Sequence, residues 1–329
     1  MLGCLLCNGH VLRVYGDHWS RVRWMLDRQS LWERPVAKRY RTMSGEKQIK
    51  MREDWSESRD GRKLYMRSWQ REAPKAHVLL VHGLAEHSGR YEHVAHAMVE
   101  AGFDVHALDL RGHGKSEGVR AHIRSFDEFL WDVEAVFHRL RSREETSQFY
   151  LLGHSMGGLV ASTYVIRHNP ELLGLILSAP ALKAGDDIQP AMIALARAIG
   201  FVMPKFPLQK LDAQWISRDP EVVSDYNTDP LNYRGGVRAG LGAAMLKTFE
   251  EIDARNHEIT LPLLILQGSE DKLVNPEGGK MLFEKVTSEE KDYKVYKGLY
   301  HEVFNEPERE QVLEDTISWL QTLHARISD

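Results

Sequence analysis

The stretch Phe149-Tyr150-Leu151-Leu152-Gly153-His154-Ser155-Met156-Gly157-Gly158 decides the fold of this chain. Its first four residues are an unbroken apolar run, the pattern of a strand buried on both faces. A Gly-x-Ser-x-Gly pentapeptide follows. Small and apolar residues then run from Gly158 to Arg167 and stop at Asn169-Pro170, a helix end. Strand, tight turn and helix in that order describe a nucleophile elbow, with Ser155 thrust out and its Oγ open to attack. A side chain at either flanking glycine would collide with the neighbouring strand or helix. With Gly and Ser each at roughly 7% of residues, the bare pentapeptide arises by chance in about one chain in ten of this size, so its context has to decide.

Three other segments provide that context. Val78-Leu79-Leu80-Val81 is a second buried-type run and leads into His82-Gly83-Leu84-Ala85-Glu86. Stabilising an oxyanion takes two backbone N–H groups aimed at one oxygen, each worth roughly 3–4 kcal/mol in the transition state. Met156, directly after the serine, offers one; the loop after the earlier strand offers the other, with Leu84 the candidate. Leu263-Leu264-Ile265-Leu266 is a third run, followed by Gln267-Gly268-Ser269-Glu270-Asp271. This puts an acid just past the C-terminal end of a strand, where open α/β sheets gather their functional groups. Asp271 is the candidate for orienting a histidine, with Glu270 its rival. Tyr293-Lys294-Val295-Tyr296 is the last strand, and His301 follows it as the candidate base. Of the 16 histidines, His82, His113 and His154 are alternatives. His154 should point away from its neighbour Ser155, and His113 sits in a glycine-bracketed turn. Ser155, Asp271, His301 is the chain order of an α/β-hydrolase triad.

The chain has 329 residues, 43% of them hydrophobic, enough for a large core. Strand candidates fall at 49–56, 63–69, 78–81, 104–108, 149–152, 174–178, 263–267 and 293–296. Helical segments at 91–101, 126–141, 157–168, 277–286 and 307–326 lie between most of them or after the last. The alternation predicts one α/β domain over 46–329, an eight-stranded mostly parallel sheet with helices on both faces. Asp60-Gly61 joins the first two strands as a hairpin, so that edge is antiparallel. Between Ala181 and about Thr260 no clear strand is found, over a length far beyond a simple crossover, so a helical cap inserted at about 181–260 is expected. Ile188 to Met203 is almost wholly apolar, with Pro190 suited to a helix start and Gly200 to its end. It is too short to span a bilayer. A helix apolar all round must be covered, either by the body or by lining an acyl-chain tunnel and docking on lipid.

Residues 1–45 read differently. The first 50 residues hold ten Lys/Arg against four Asp/Glu, and three of the eight tryptophans, Trp19, Trp24 and Trp32. One reading is a basic, aromatic helix lying on anionic lipid; the other is a poorly ordered leader, or a start codon placed too early with Met43 the natural beginning. The whole chain carries a net charge of only −4, so a nucleic-acid partner is not expected. Cys4 and Cys7 are its two cysteines and lack a second ligand pair for zinc. No apolar run is long enough to span a bilayer and no secretory signal is convincing, so a cytoplasmic location is expected, with peripheral contact at a membrane surface through the cap or the leader as the further option.

Five motifs together resemble one known family. They are His82 to Tyr91 (HGLAEHSGRY), Asp109 to Gly118 (DLRGHGKSEG), Gly153 to Gly158 (GHSMGG), Tyr226 to Pro230 (YNTDP), which closes the cap, and Gln267 to Asp271 (QGSED). Over roughly residues 50–326 the chain resembles the monoacylglycerol lipases of the α/β-hydrolase superfamily, in the group that includes bacterial monoglyceride lipases and lysophospholipase-like enzymes. The resemblance implies Ser155, Asp271 and His301 as catalytic triad and Leu84 and Met156 as oxyanion donors. It also implies that Glu86, Arg90 and Tyr226 shape a polar pocket for the glycerol head group of a lipid ester substrate. No metal or organic cofactor is implied. The cap matches only loosely. Lysophospholipase and general carboxylesterase activities share every catalytic residue and stay open. Dehalogenases and epoxide hydrolases on this fold use an aspartate nucleophile, which Ser155 argues against, and a silent lipid-binding member would usually have lost a triad residue.

Overall fold

The computed structural model describes residues 49–144, 148–185 and 190–328. The basic leader with its tryptophans lies outside the described residues. The chain runs β1 (Lys50–Glu57), β2 (Lys63–Gln70), β3 (Ala76–Val81), α1 (Glu92–Glu100), β4 (Phe103–Leu108), α2 (Asp127–Arg141), β5 (Phe149–His154), α3 (Met156–His168), β6 (Gly174–Ser178), α4 (Pro190–Val202), β7 (Pro207–Lys210), α5 (Pro220–Thr228), β8 (Gly236–Arg238), α6 (Ala239–Arg255), β9 (Leu263–Gly268), α7 (Glu277–Lys285), β10 (Lys291–Tyr296) and α8 (Arg309–Ser328).

Eight strands form one sheet in the order β1-β2-β4-β3-β5-β6-β9-β10. β2 runs antiparallel to both β1 and β4, and every other neighbouring pair is parallel. The expected eight-stranded, mostly parallel sheet is therefore present, with the hairpin at its edge. Successive strand side chains face opposite sides. In β3, Leu79 and Val81 enter one core while Val78 and Leu80 enter the other; in β5, Leu151 opposes Tyr150 and Leu152 in the same way. Helices α1 and α8 cover one face through Val94, Met98, Val312 and Leu320. Helices α2, α3 and α7 cover the other through Phe129, Val133, Leu159 and Leu282. Each such large apolar side chain taken fully out of water contributes about 1.5–3 kcal/mol.

The strand order is what gathers the functional residues. From β3 the chain goes to β4 on one side, and β5 then lies on the other side of β3. The reversal opens a crevice at the carboxyl ends of β3 and β5. The parallel strands all end at this edge, so the segments after β3, β5, β9 and β10 bring Leu84, Ser155, Asp271 and His301 to it.

Between β6 and β9 the chain leaves the sheet and builds α4, β7, α5, β8 and α6, where three expectations fail. The segment is not free of strands, because β7 and β8 pair antiparallel with Lys210 opposite Gly236. Strands this short carry no readable periodicity. Gly200 does not end its helix, which continues to Val202. A Cβ at Gly200 would lie 2.6 Å from Ala243 Cβ and 2.7 Å from the Ala239 oxygen, so the glycine serves the close approach of α4 to α6. Tyr226 to Pro230 do not close the segment either: Tyr226 lies in α5, with β8 and α6 still to come. Helix α6 ties the insertion down by sending Leu241 and Ile252 into the core of the body. On α4, Met192, Leu195, Phe201 and Val202 face outward, Phe201 at 89% exposure. Among the described residues no helix is long and apolar enough to cross a membrane.

Candidate active site

Ser155 joins β5 to α3 at φ 51° and ψ −119°. A residue with a side chain seldom holds a positive φ, which costs about 1–3 kcal/mol and persists only where the surroundings over-determine it. Here they do. The Ser155 N–H donates to the Ser178 oxygen at 2.9 Å, and its carbonyl accepts from Gly158 at 2.9 Å and Ala181 at 3.0 Å. The flanking glycines are required as the sequence suggests: a Cβ at Gly153 would lie 2.4 Å from the Gly157 oxygen, and one at Gly157 would lie 2.1 Å from the Val81 oxygen. A Cβ at Gly83 would sit 3.1 Å from Ser155 Cβ, so the loop holding Leu84 abuts the serine. Met156 is the first residue of α3, where backbone N–H groups have no partner within the helix. Both backbone segments proposed for the oxyanion thus border Ser155.

His301 and Asp271 are brought together. His301 Nδ1 lies 2.8 Å from Asp271 Oδ2, with both side chains almost wholly buried. Asp271 also accepts N–H groups from Leu273 at 2.9 Å and Val274 at 3.1 Å, and the Gln267 amide at 3.1 Å. Burial works against its carboxylate, but the His301 charge and these hydrogen bonds outweigh burial and hold its pKa below the ordinary value. Burial likewise works against the His301 imidazolium. The Asp271 carboxylate, with Glu302 and Glu86 behind it, prevails and raises the pKa above the ordinary 6.5. An imidazole so held can accept a proton at Nε2 and keep it. Glu270, the rival acid, is exposed.

The other histidines are occupied elsewhere. His82 Nδ1 donates to the Gly83 oxygen at 2.7 Å while Nε2 accepts the Leu110 N–H at 3.0 Å, which ties the Leu84 loop to the neighbouring turn. Burial lowers its pKa below the ordinary value despite the nearby Asp109 and Glu86. His113 bonds the Arg111 oxygen at 3.0 Å and is pushed down to about 3 by burial and then by His82. His154 turns to Ser178 Oγ at 3.1 Å, and its ring stands 4.8 Å from that of His301. Burial first, then the His301 charge, lower it to about 4.

Glu86, Arg90 and Tyr226 also meet, in a buried network. Glu86 Oε1 accepts from the Gly83 N–H at 2.6 Å and the Tyr91 hydroxyl at 2.7 Å. Its other oxygen takes Arg90 at 2.8 Å. Arg90 makes a bidentate pair with Glu302 at 2.6 and 2.7 Å, and its guanidinium lies 5.0 Å from the centre of the Tyr226 ring. The Tyr226 hydroxyl donates to the Ala85 oxygen at 3.3 Å. Two carboxylates around one guanidinium leave a negative balance beside His301. Burial opposes the Glu86 charge, yet Arg90 and the neighbouring histidines hold its pKa at about 2. Sequence reasoning missed Glu302, Tyr91 and Gln267. An acid directly after the candidate base was the one available signal for Glu302. In the Asp109–Gly118 motif, Asp109 takes the N–H groups of Ser88 and Lys115, both at 2.8 Å, and so braces the same loop.

The family model Hydrolase_4, described as serine aminopeptidase, S33, matches residues 72–308. The chain belongs to that family. A monoacylglycerol lipase of Mycolicibacterium smegmatis is 42% identical over 247 residues, 75% of this chain and 88% of that protein. Phospholipase YtpA of Bacillus subtilis is 34% identical over 250 residues, 75% of this chain and 95% of its own. Among solved structures, the monoacylglycerol lipase of Paleococcus ferrophilus is 34% identical, covering 79% of this chain and 99% of its own with a TM-score of 0.72. The chain thus shares its fold with a solved monoacylglycerol lipase. In this member a cavity of 530 Å³ opens in the inserted segment. Polar groups of Lys210, Asp212, Gln214 and Asn227 line it, together with Tyr226 and Tyr233. Tyr233 donates its N–H to the Ala85 oxygen at 3.0 Å, so two of the cavity's walls rest on the Leu84 loop.

Proposed function

We propose that this protein is a serine ester hydrolase that cleaves monoacylglycerol to fatty acid and glycerol, with Ser155 as nucleophile, His301 as base and Asp271 as the orienting acid. His301 Nε2 takes the proton of Ser155 Oγ as that oxygen attacks the ester carbonyl. The oxyanion settles against the N–H groups of Leu84 and Met156. His301 then gives its proton to the departing glycerol oxygen, leaving an acyl-serine. Water repeats the attack with His301 again as base, and the fatty acid leaves. The carrying observation is the buried 2.8 Å pair of His301 and Asp271, on strand ends that converge on a serine held at positive φ. Glu86 and Arg90 act from behind, bracing the Leu84 loop and adding negative charge beside His301, while Tyr226 forms part of the polar wall on the glycerol side.

The substrate reading rests on the relatives named as monoacylglycerol lipases. A lysophospholipid is the second reading, because one relative of similar identity is named a phospholipase. The outward apolar face of α4 supports a further step: the inserted segment sits on a membrane and draws its lipid ester from there. A substrate panel on purified protein tests the assignment. Monoacylglycerol, diacylglycerol, lysophosphatidylcholine and a short-chain aryl ester are compared by kcat/KM, with monoacylglycerol expected highest. Fast turnover of lysophosphatidylcholine with little of monoacylglycerol would replace the first reading by the second.

A further inference from the structure

A second pocket, of 170 Å³, shares no lining residue with the site above. The body gives it Arg62, Arg111, His122 and Arg124, and the inserted segment gives it Lys205. Most of these cations are matched. Arg111 pairs with Asp132 at 2.6 Å and Asp60 at 2.9 Å, Arg124 with Glu128 at 2.8 Å, and Arg62 with Asp60 at 3.3 Å. Lys205 is exposed, and no carboxylate pairs with it among the described residues. Arg238 joins it, donating to the Lys205 oxygen at 2.9 Å. Beside them His122 Nδ1 is buried without a hydrogen-bond partner. Burial first, then the positive charges of Lys205, Arg238 and Arg124, opposed by Glu128, lower the His122 pKa. An anion in the crevice would meet an unmatched lysine beside the His122 ring, with the Arg238 charge held against the Lys205 backbone. With a water occupying about 30 Å³, the space accommodates a phosphodiester group.

Exposed apolar side chains lie next to this crevice in the chain. Val119 stands 44% exposed on the body side. In the inserted segment Met203 and Phe206 flank Lys205 in sequence and are 48% and 46% exposed, following the exposed Phe201 and Val202. Because the chain as a whole is acidic, at −4, attraction to an anionic surface has to be local. We propose that the crevice between Val119–Arg124 and Lys205 seats the phosphodiester head group of an anionic membrane lipid and so pins the inserted segment to the surface. The inference rests on the membrane contact suggested for α4, to which it adds the class of lipid.

The test is co-sedimentation with vesicles of phosphatidylcholine alone and of phosphatidylcholine mixed with phosphatidylglycerol. Binding to the mixed vesicles should be about fivefold tighter or more. Lys205→Gln should remove most of that preference, whereas Arg326→Gln, a charge change on α8, should leave it intact. Phe201→Ser should weaken binding to both vesicles alike. In parallel, glycerol 1-phosphate should raise the midpoint of the His122 imidazole titration seen by NMR. Equal binding to both vesicles, or a preference that survives Lys205→Gln, overturns the head-group site while leaving the α4 contact standing. Binding to neither overturns both. A His122 response to glycerol 1-phosphate without any phosphatidylglycerol preference makes the crevice a site for a soluble phosphate ester and overturns the lipid assignment.

Discussion

The elbow at Ser155 and the helix α4 are each surrounded by apolar chain, yet they are held in opposite ways. Ser155 is fixed from every side: hydrogen bonds from β6 and α3, a glycine contact with β3, and the Gly83 loop against its Cβ. Among the described residues helix α4 packs closely on α6 at Gly200 and turns Met192, Leu195 and Phe201 outward. The difference separates two tasks. Acyl transfer needs groups fixed to a fraction of an ångström before substrate arrives. Access of a greasy substrate needs a surface that can be wetted by lipid. Mutations should accordingly split into those that remove catalysis while leaving surface contact, and those that do the reverse.

The sharpest break is Ser155→Ala. It should lower kcat on monoacylglycerol by at least about 10⁴-fold while vesicle binding is retained. Activity near wild type would remove Ser155 from the mechanism. Asp271→Asn should cost about 10⁴-fold in kcat by losing the tautomer and charge that hold His301. This variant also carries a pH signature. The base must be neutral to act, and the carboxylates raise its pKa, so wild-type kcat/KM should climb through an acid limb above pH 6.5. Without the Asp271 charge that limb should move to lower pH. An unmoved limb would mean that another group sets it.

The two regions also differ in how far their sequences could be read. The body was legible because its signals are local and repeat. Val78–Val81, Phe149–Leu152 and Leu263–Leu266 are unbroken apolar runs since both sheet faces are covered, and the loop after each run lands at the same edge. That is why the segments carrying Leu84, Ser155 and Asp271, and His301 after the last strand, could be assigned to one edge from sequence. What stayed hidden depends on partners remote in the chain. Glu302 matters because Arg90 reaches it across 212 positions. β7 and β8 are too short to leave a periodic trace, and Gly200 resembles a helix stop until its neighbour Ala243 is known.

Glu86→Gln tests the bracing of the Leu84 loop beside the elbow. Losing one partner of a buried ionic network costs about 3 kcal/mol, read as a fall in Tm. The sign with pH is definite. The folded pKa of Glu86 is about 2, below the ordinary 4.5, so its stabilisation is full above pH 4.5 and is lost as pH falls towards 2. The stability gap between wild type and Glu86→Gln should therefore narrow across that window. A gap that stays constant would show that the charge of Glu86 contributes nothing. kcat should fall as well, because the Gly83 N–H loses its charged acceptor beside Leu84.

The smallest effect on the fold and the clearest on access is expected one residue beyond Gly200. Gly200 is buried where α4 meets α6, while Phe201 turns the other way and is 89% exposed. Phe201 leaves few contacts to lose, so Phe201→Ser should change stability by no more than about 0.5 kcal/mol. If the ring enters the lipid when the protein binds, its loss should weaken vesicle binding about tenfold, the equivalent of one large apolar side chain only partly buried. Turnover of a soluble short-chain ester should be unchanged, because the triad and the Leu84 loop are untouched. A fall in soluble-ester turnover would instead mean that α4 supports the site from within, and the contrast between a fixed elbow and an open helix face would no longer hold.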